Sequence, residues 1–168
     1  AAVIFLGIQI FRVPMPAAVG TPFVHFGHIF VVLAILLLGI RRSMLAGVIG
    51  YVIFDLINGY AQSIPNVVFS MVAECLIAGA VFQAMRQKTG KDYASAVTAA
   101  VIYGILNIVI DFVWSAAVLM LAGSGFAAAM AAELTAIPST VINSVFTVIG
   151  TAVLYVPVRS AYNKIMTV

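Results

Sequence analysis

Apolar residues in this chain come in long unbroken runs, not in alternation. IFVVLAILLLGI at 29–40 and AAVIYGILNIVI at 99–110 carry no charge at all. A strand of a membrane barrel would switch between apolar and polar every second residue, so helices are the remaining way to satisfy backbone groups in lipid. At about 20 residues per crossing, the 168 residues predict an all-α, six-helix transmembrane bundle. It is expected to form a single transmembrane domain over residues 1–168, with short loops and no room for a soluble domain. The breaks in the pattern place helices at about 1–13, 27–40, 43–60, 65–85 and 93–121. Pro138 then separates a short Ala-rich piece, beginning at Phe126, from a sixth helix ending near Val158. Pro65 suits a helix start, RQKTGKD at 86–92 reads as a loop, and Gly123-Ser124-Gly125 breaks the fifth helix.

Composition agrees. The chain is 64% hydrophobic and 8% charged, with a mean hydropathy of +1.21, whereas soluble domains are about half apolar and a quarter charged. The net charge of +3 is no nucleic-acid signal, because the bases sit at helix ends. Arg41 and Arg42 follow the second helix, Arg86, Lys88 and Lys91 the fourth, and Arg159 and Lys164 the sixth; only Arg12 is near the opposite face. The positive-inside rule makes the basic face cytoplasmic, with both termini there. The chain opens inside an apolar run at Ala1-Ala2-Val3, so further residues are expected before it, and no cleavable signal peptide is visible. The lone Cys75 cannot form a disulfide within the chain.

Orientation makes the acids informative. Asp92 falls in a cytoplasmic loop, whereas Asp55, Glu74, Asp111 and Glu133 all fall in the outer half, with Asn58, Tyr60, Asn66, Trp114 and Asn143. Intramembrane ionisable residues are costly and mark functional sites by default, so this polar layer predicts a cavity open to the extracellular side. Above it runs a loop with Pro14, Pro16 and Pro22, which stiffen it, and with His25 and His28, which can bond or titrate.

Each group has a plainer alternative. His25 and His28 are three apart and share a face if helical; a ligand contact or loop pin, a metal pair and ordinary interfacial histidines are the readings. Asp55 fits a cap or an ion pair with Arg12. Glu74 and Asp111 lie deeper with no base at their depth, so each must find a donor, a proton or a ligand. Asn107, Asp111 and Trp114 share a helix face suited to a small flat heterocycle, although Trp114 also fits an interfacial belt. Glu133 fits a site or a surface. Small residues recur at Ala73, Gly79 and Ala80 and at Ala96, Ala100 and Gly104, where helices can approach closely in lipid. No catalytic motif is present, no cofactor is called for, and no ATP site is visible.

FRVPMP, GTPFVHFGH leading into VVLAILLLG, and MLAGVIGYVIFDLINGY, together spanning residues 11–60, resemble the substrate-binding S component of energy-coupling-factor vitamin transporters. Within that superfamily they look most like the riboflavin-type group, in the branch assigned to hydroxymethylpyrimidine or pyridoxine-like substrates. The resemblance implies a membrane-embedded vitamin-binding subunit of an ATP-driven importer in a prokaryotic plasma membrane, not itself an enzyme. It implies as partners a transmembrane coupling protein and two cytoplasmic ATPases, with Ala1 and Ala2 as remnants of an AxxxA motif that meets the coupling protein. The expected substrate-binding residues are His25, His28, Asn58, Tyr60, Glu74, Asn107, Asp111, Trp114, Glu133 and Asn143. A stand-alone transporter coupled to protons through Glu74 or Asp111 is the alternative, and a structural membrane protein a third. Glu74, Asp111 and Glu133 outnumber Arg12 in this layer, which favours a neutral or cationic ring.

Overall fold

A computed structural model describes residues 1–166 of the chain. Among the described residues there are seven α-helices: α1 (Ala2–Gln9), α2 (Gly27–Leu38), α3 (Ile40–Asn58), α4 (Ile64–Thr89), α5 (Asp92–Leu121), α6 (Phe126–Leu134) and α7 (Ile137–Met166). Two short strands, β1 (Val13–Pro14) and β2 (Phe23–Val24), pair antiparallel between α1 and α2. A single 3-10 turn, Ala61–Ser63, leads into α4. Three helical segments, 61–89, 92–121 and 137–165, are long and apolar enough to cross a membrane. The seventh helix, against the six expected, is the Ala-rich piece, which folds as α6.

The organising element is α2. Eight of its twelve residues are buried, and it packs on α1, α3, α4, α5 and α7. A helix that is apolar all round belongs in an interior. Twelve residues span about 18 Å, well short of a hydrocarbon layer of about 30 Å. The bundle is therefore empty of helix along the axis of α2 beyond Gly27, and the β1–β2 loop crosses that gap. Close approaches pin α2 in place: a Cβ on Gly150 of α7 would stand 2.5 Å from Ile29. Gly39, at φ +83°, turns the chain from α2 directly into α3, a conformation that side chains with a Cβ avoid.

Several boundaries differ from the expected ones for local reasons. α1 stops at Gln9 and not near Val13; Pro14 forces Val13 into extended backbone, which pairs with Val24. α4 runs through most of the expected loop to Thr89, with Arg86 and Lys88 in its last turn, where cations favour the helix dipole. Asp92 is the first residue of α5 and not part of a long loop. Its carboxylate pairs with Arg86 at 3.0 Å and with Arg159, and accepts a bond from Tyr155 at 2.6 Å. This cluster ties α4, α5 and α7 together at the end remote from the β1–β2 loop. It also holds the turn after Pro157, so α7 continues past the expected stop at Val158. The small-residue runs pack helix on helix: Ala96, Ala99 and Ala100 are fully buried, and Gly104 lies against Ser144.

Candidate functional site

Where α2 stops short there is a cavity of about 440 Å³, bounded by the β1–β2 loop and by α3, α4, α5, α6 and α7. Of the ten expected substrate residues, His25, His28, Tyr60, Asn107, Asp111, Trp114, Glu133 and Asn143 line it; Asn58 and Glu74 do not. Three lining residues are acids (Asp55, Asp111 and Glu133), and no lysine or arginine lines the cavity.

Asp111 is held by neutral donors from two neighbouring helices. Asn66 of α4 donates to Oδ1 at 3.3 Å and Thr140 of α7 to Oδ2 at 3.1 Å. Ser70, one turn below Asn66, donates to the Asn66 oxygen at 3.0 Å, fixing which way that amide points. Trp114, one turn from Asp111, stacks on Phe69 with centroids 5.6 Å apart and turns toward the cavity as well. A carboxylate held by amide and hydroxyl groups, beside an indole, can accept bonds from the edge of a stacked ring.

Asp55 lines the cavity and is buried. The expected ion pair with Arg12 does not form. Arg12 donates to Asn58 Oδ1 at 3.3 Å and lies over the rings of Phe23 and Phe54, 5.7 and 5.6 Å from their centroids. Asn58 also donates to Gln9 and to the Phe54 carbonyl. It thus ties α1 to α3 behind the cavity wall.

Asn143 holds the loop. Its Oδ1 accepts from the His25 backbone N–H at 2.8 Å, while its Nδ2 donates to the Phe23 carbonyl at 3.0 Å. One amide therefore satisfies a carbonyl of β2 and the N–H of the residue that follows the strand. The tip of the loop is tied down separately, Ala18 N–H donating to Thr135 Oγ1 at 2.8 Å.

The two histidine rings lie side by side, their centroids 4.9 Å apart. His25 Nδ1 accepts from the Gly27 N–H at 3.1 Å, and His28 Nδ1 meets the Tyr103 hydroxyl at 2.9 Å. Burial, and secondarily the neighbouring His28, lowers the proton affinity of His25 well below that of an ordinary imidazole. Among the described residues no group of three or more His, Cys, Asp or Glu side chains is placed to hold a metal.

Glu74 lies behind this floor with no exposure. Asn107 donates to its Oε1 at 3.1 Å, and its Oε2 has no partner. Tyr51 and Tyr103 belong to the site's surroundings but carried no signal in the sequence, each being one tyrosine in an apolar run. Asn66 and Ser70 were legible in principle, as polar residues one turn apart on a helix otherwise apolar there.

The family model for the ECF-type riboflavin transporter, S component, matches residues 1–162. The chain belongs to this family. No curated protein and no solved structure matches it. This S component is accordingly a membrane protein and a vitamin-binding transporter subunit, not an enzyme. Ala1 and Ala2 are exposed at the start of α1.

Proposed function

We propose that this S component captures a small donor-bearing heterocycle, of the hydroxymethylpyrimidine or pyridoxine type, for an ATP-driven energy-coupling-factor importer. The observation that carries the reading is the make-up of the cavity, with three carboxylates, aromatic walls and no base. An anionic vitamin would meet repulsion there, whereas ring N–H, amino or hydroxyl groups find acceptors. A volume of about 440 Å³ lies within the usual range of small-molecule sites. A second reading, riboflavin itself, is favoured by the family's name and by the spare room beyond a single ring.

In this reading the chain is one domain of six membrane crossings in a prokaryotic plasma membrane. Both termini and the Arg86, Arg159 and Asp92 end are cytoplasmic, and the cavity faces outward; Arg41, Arg42, Lys88 and Lys91 support that orientation. A transmembrane coupling protein, contacted in part through Ala1 and Ala2, and two ATPases supply the transport energy. Asn58 and Glu74 act from behind the wall, and the other eight expected residues surround the ligand.

Calorimetric titration of the purified chain with hydroxymethylpyrimidine, pyridoxine, thiamine, riboflavin and pantothenate tests the proposal. Submicromolar binding of a single-ring compound, with none of pantothenate, is the expected outcome. Tight binding of riboflavin alone selects the second reading. Folded protein that binds none of them, or uptake by the chain alone that collapses with the proton gradient, overturns the proposal in favour of secondary transport.

A further inference from the structure

His25 follows β2, and its ring is fixed from several directions. Its backbone N–H donates to Asn143 Oδ1 of α7 at 2.8 Å. The ring lies among those of Phe23, His28 and Tyr51, with centroids 5.3, 4.9 and 5.8 Å away. Its Nδ1 accepts from the backbone N–H of Gly27 at 3.1 Å, one of the donors that a helix start leaves without an intrahelical partner. That approach depends on glycine at 27. A Cβ there would collide with Ile8 and would stand 3.1 Å from both His25 Nδ1 and Tyr51 Oη.

The Gly27 bond decides where the imidazole proton sits. A backbone N–H can only donate, so Nδ1 has to be bare. A doubly protonated ring, or one protonated on Nδ1 alone, would set one N–H against another. The state that keeps the bond is the neutral imidazole with its hydrogen on Nε2. No hydrogen bond within the described residues reaches Nε2, and it is not among the buried atoms without a partner. It therefore opens to the cavity that His25 lines. His28 is different. Its Nδ1 meets the Tyr103 hydroxyl at 2.9 Å, a group that can donate or accept, so this contact leaves the His28 tautomer free.

We propose that His25 is a specificity-determining residue that offers the cavity one neutral donor, Nε2–H, and selects a ligand bringing an acceptor to it. The carboxylates elsewhere on the wall, Asp55, Asp111 and Glu133, ask for donors. Together these groups define the ligand class. It is a flat heterocycle whose ring nitrogen or carbonyl meets His25 while amino or hydroxyl substituents meet the acids. A compound bringing donors alone leaves a desolvated N–H unmatched, which costs more than the bond would have contributed.

The inference rests on the cavity being the vitamin site, and its test separates the two. Nitrogen NMR of the full chain in lipid nanodiscs, with isotopically labelled histidine, distinguishes Nδ1–H from Nε2–H imidazole without any ligand. The chain has two histidines, so His28→Gln assigns the signals. His25 is expected as Nε2–H. Calorimetry then compares hydroxymethylpyrimidine with its deaza analogues, in each of which C–H replaces one ring nitrogen. One analogue is expected to bind about tenfold more weakly than the parent; riboflavin and its deaza analogues serve if that vitamin is the one bound. In His25→Ala this gap should close to within about twofold. A helix-capping role alone would lower the stability of His25→Ala and leave any gap open. If that variant does not fold, the tautomer and the wild-type comparison decide. A His25 proton on Nδ1, equal binding of the parent and every analogue, or an unchanged gap in folded His25→Ala overturns the proposal. Failure of every vitamin to bind removes the proposed function and leaves the tautomer to decide the inference.

Discussion

The two ends of this bundle treat carboxylates in opposite ways. At the end remote from the β1–β2 loop, Asp92 is held by Arg86, Arg159 and Tyr155, so its charge is compensated within the chain. At the cavity end, Asp55, Asp111 and Glu133 face open space, and Asp111 has only an amide and a hydroxyl for partners. An acid matched to bases has its task inside the structure. An acid left with neutral donors beside a void has no such match within the chain, and the proposed function gives it one in the ligand. The lesson is that the partners of a carboxylate, more than its depth, separate structure from site.

Substitutions at each end can break or sharpen this contrast. Asp111→Ala is expected to have the largest effect, weakening vitamin binding about 100-fold, as befits a lost charge-assisted bond of about 2–3 kcal/mol. Unfolding in detergent should scarcely change, and if stability falls instead of affinity, Asp111 belongs with Asp92. Asp92→Ala should do the reverse. It leaves Arg159 and Arg86 without their acid and lowers stability by about 1–2 kcal/mol after solvent screening, with affinity unchanged by calorimetry. Asn143→Ala tests the loop that covers the cavity. With its bonds to Phe23 and His25 gone, affinity should drop about tenfold, equivalent to about 1.4 kcal/mol, and limited proteolysis should cut first within residues 15–22. Tyr155→Phe is the mildest. It removes one hydroxyl from the Asp92 cluster and should cost about 0.5–1 kcal/mol, read from the unfolding midpoint, with no change in binding.

Much of the helical pattern was legible because long apolar runs have few alternatives in lipid. The polar layer was legible for the same reason: an acid such as Asp111 in an apolar run is conspicuous. What the pattern hid were interactions between distant segments. Nothing in FDLINGY shows that Asn58 will take Arg12 and leave Asp55 to the cavity, since that choice depends on where β1 carries Arg12. RQKTGKD looks like a loop by composition, yet five of its seven residues, 86–89 and Asp92, are helical, with Arg86 paired to Asp92 and Arg159 nearby. Glu74 and Asp111 looked alike in sequence, each an acid at similar depth. The fold buries one behind Tyr103 and opens the other to the cavity.

The sequence by itself determined that the chain is helical and membrane-embedded, and that one half of it carries the uncompensated acids. Those properties follow from local hydrophobicity and the cost of unsatisfied backbone in lipid, which act residue by residue. Tertiary structure alone decided that α2 is short and central, and hence that a cavity exists at all. It also decided which polar groups face that cavity and which are held behind it. A void is a property of how helices of unequal length pack, and a hydrogen-bond partner more than a hundred residues away, as Asn143 is to His25, leaves no trace in local pattern.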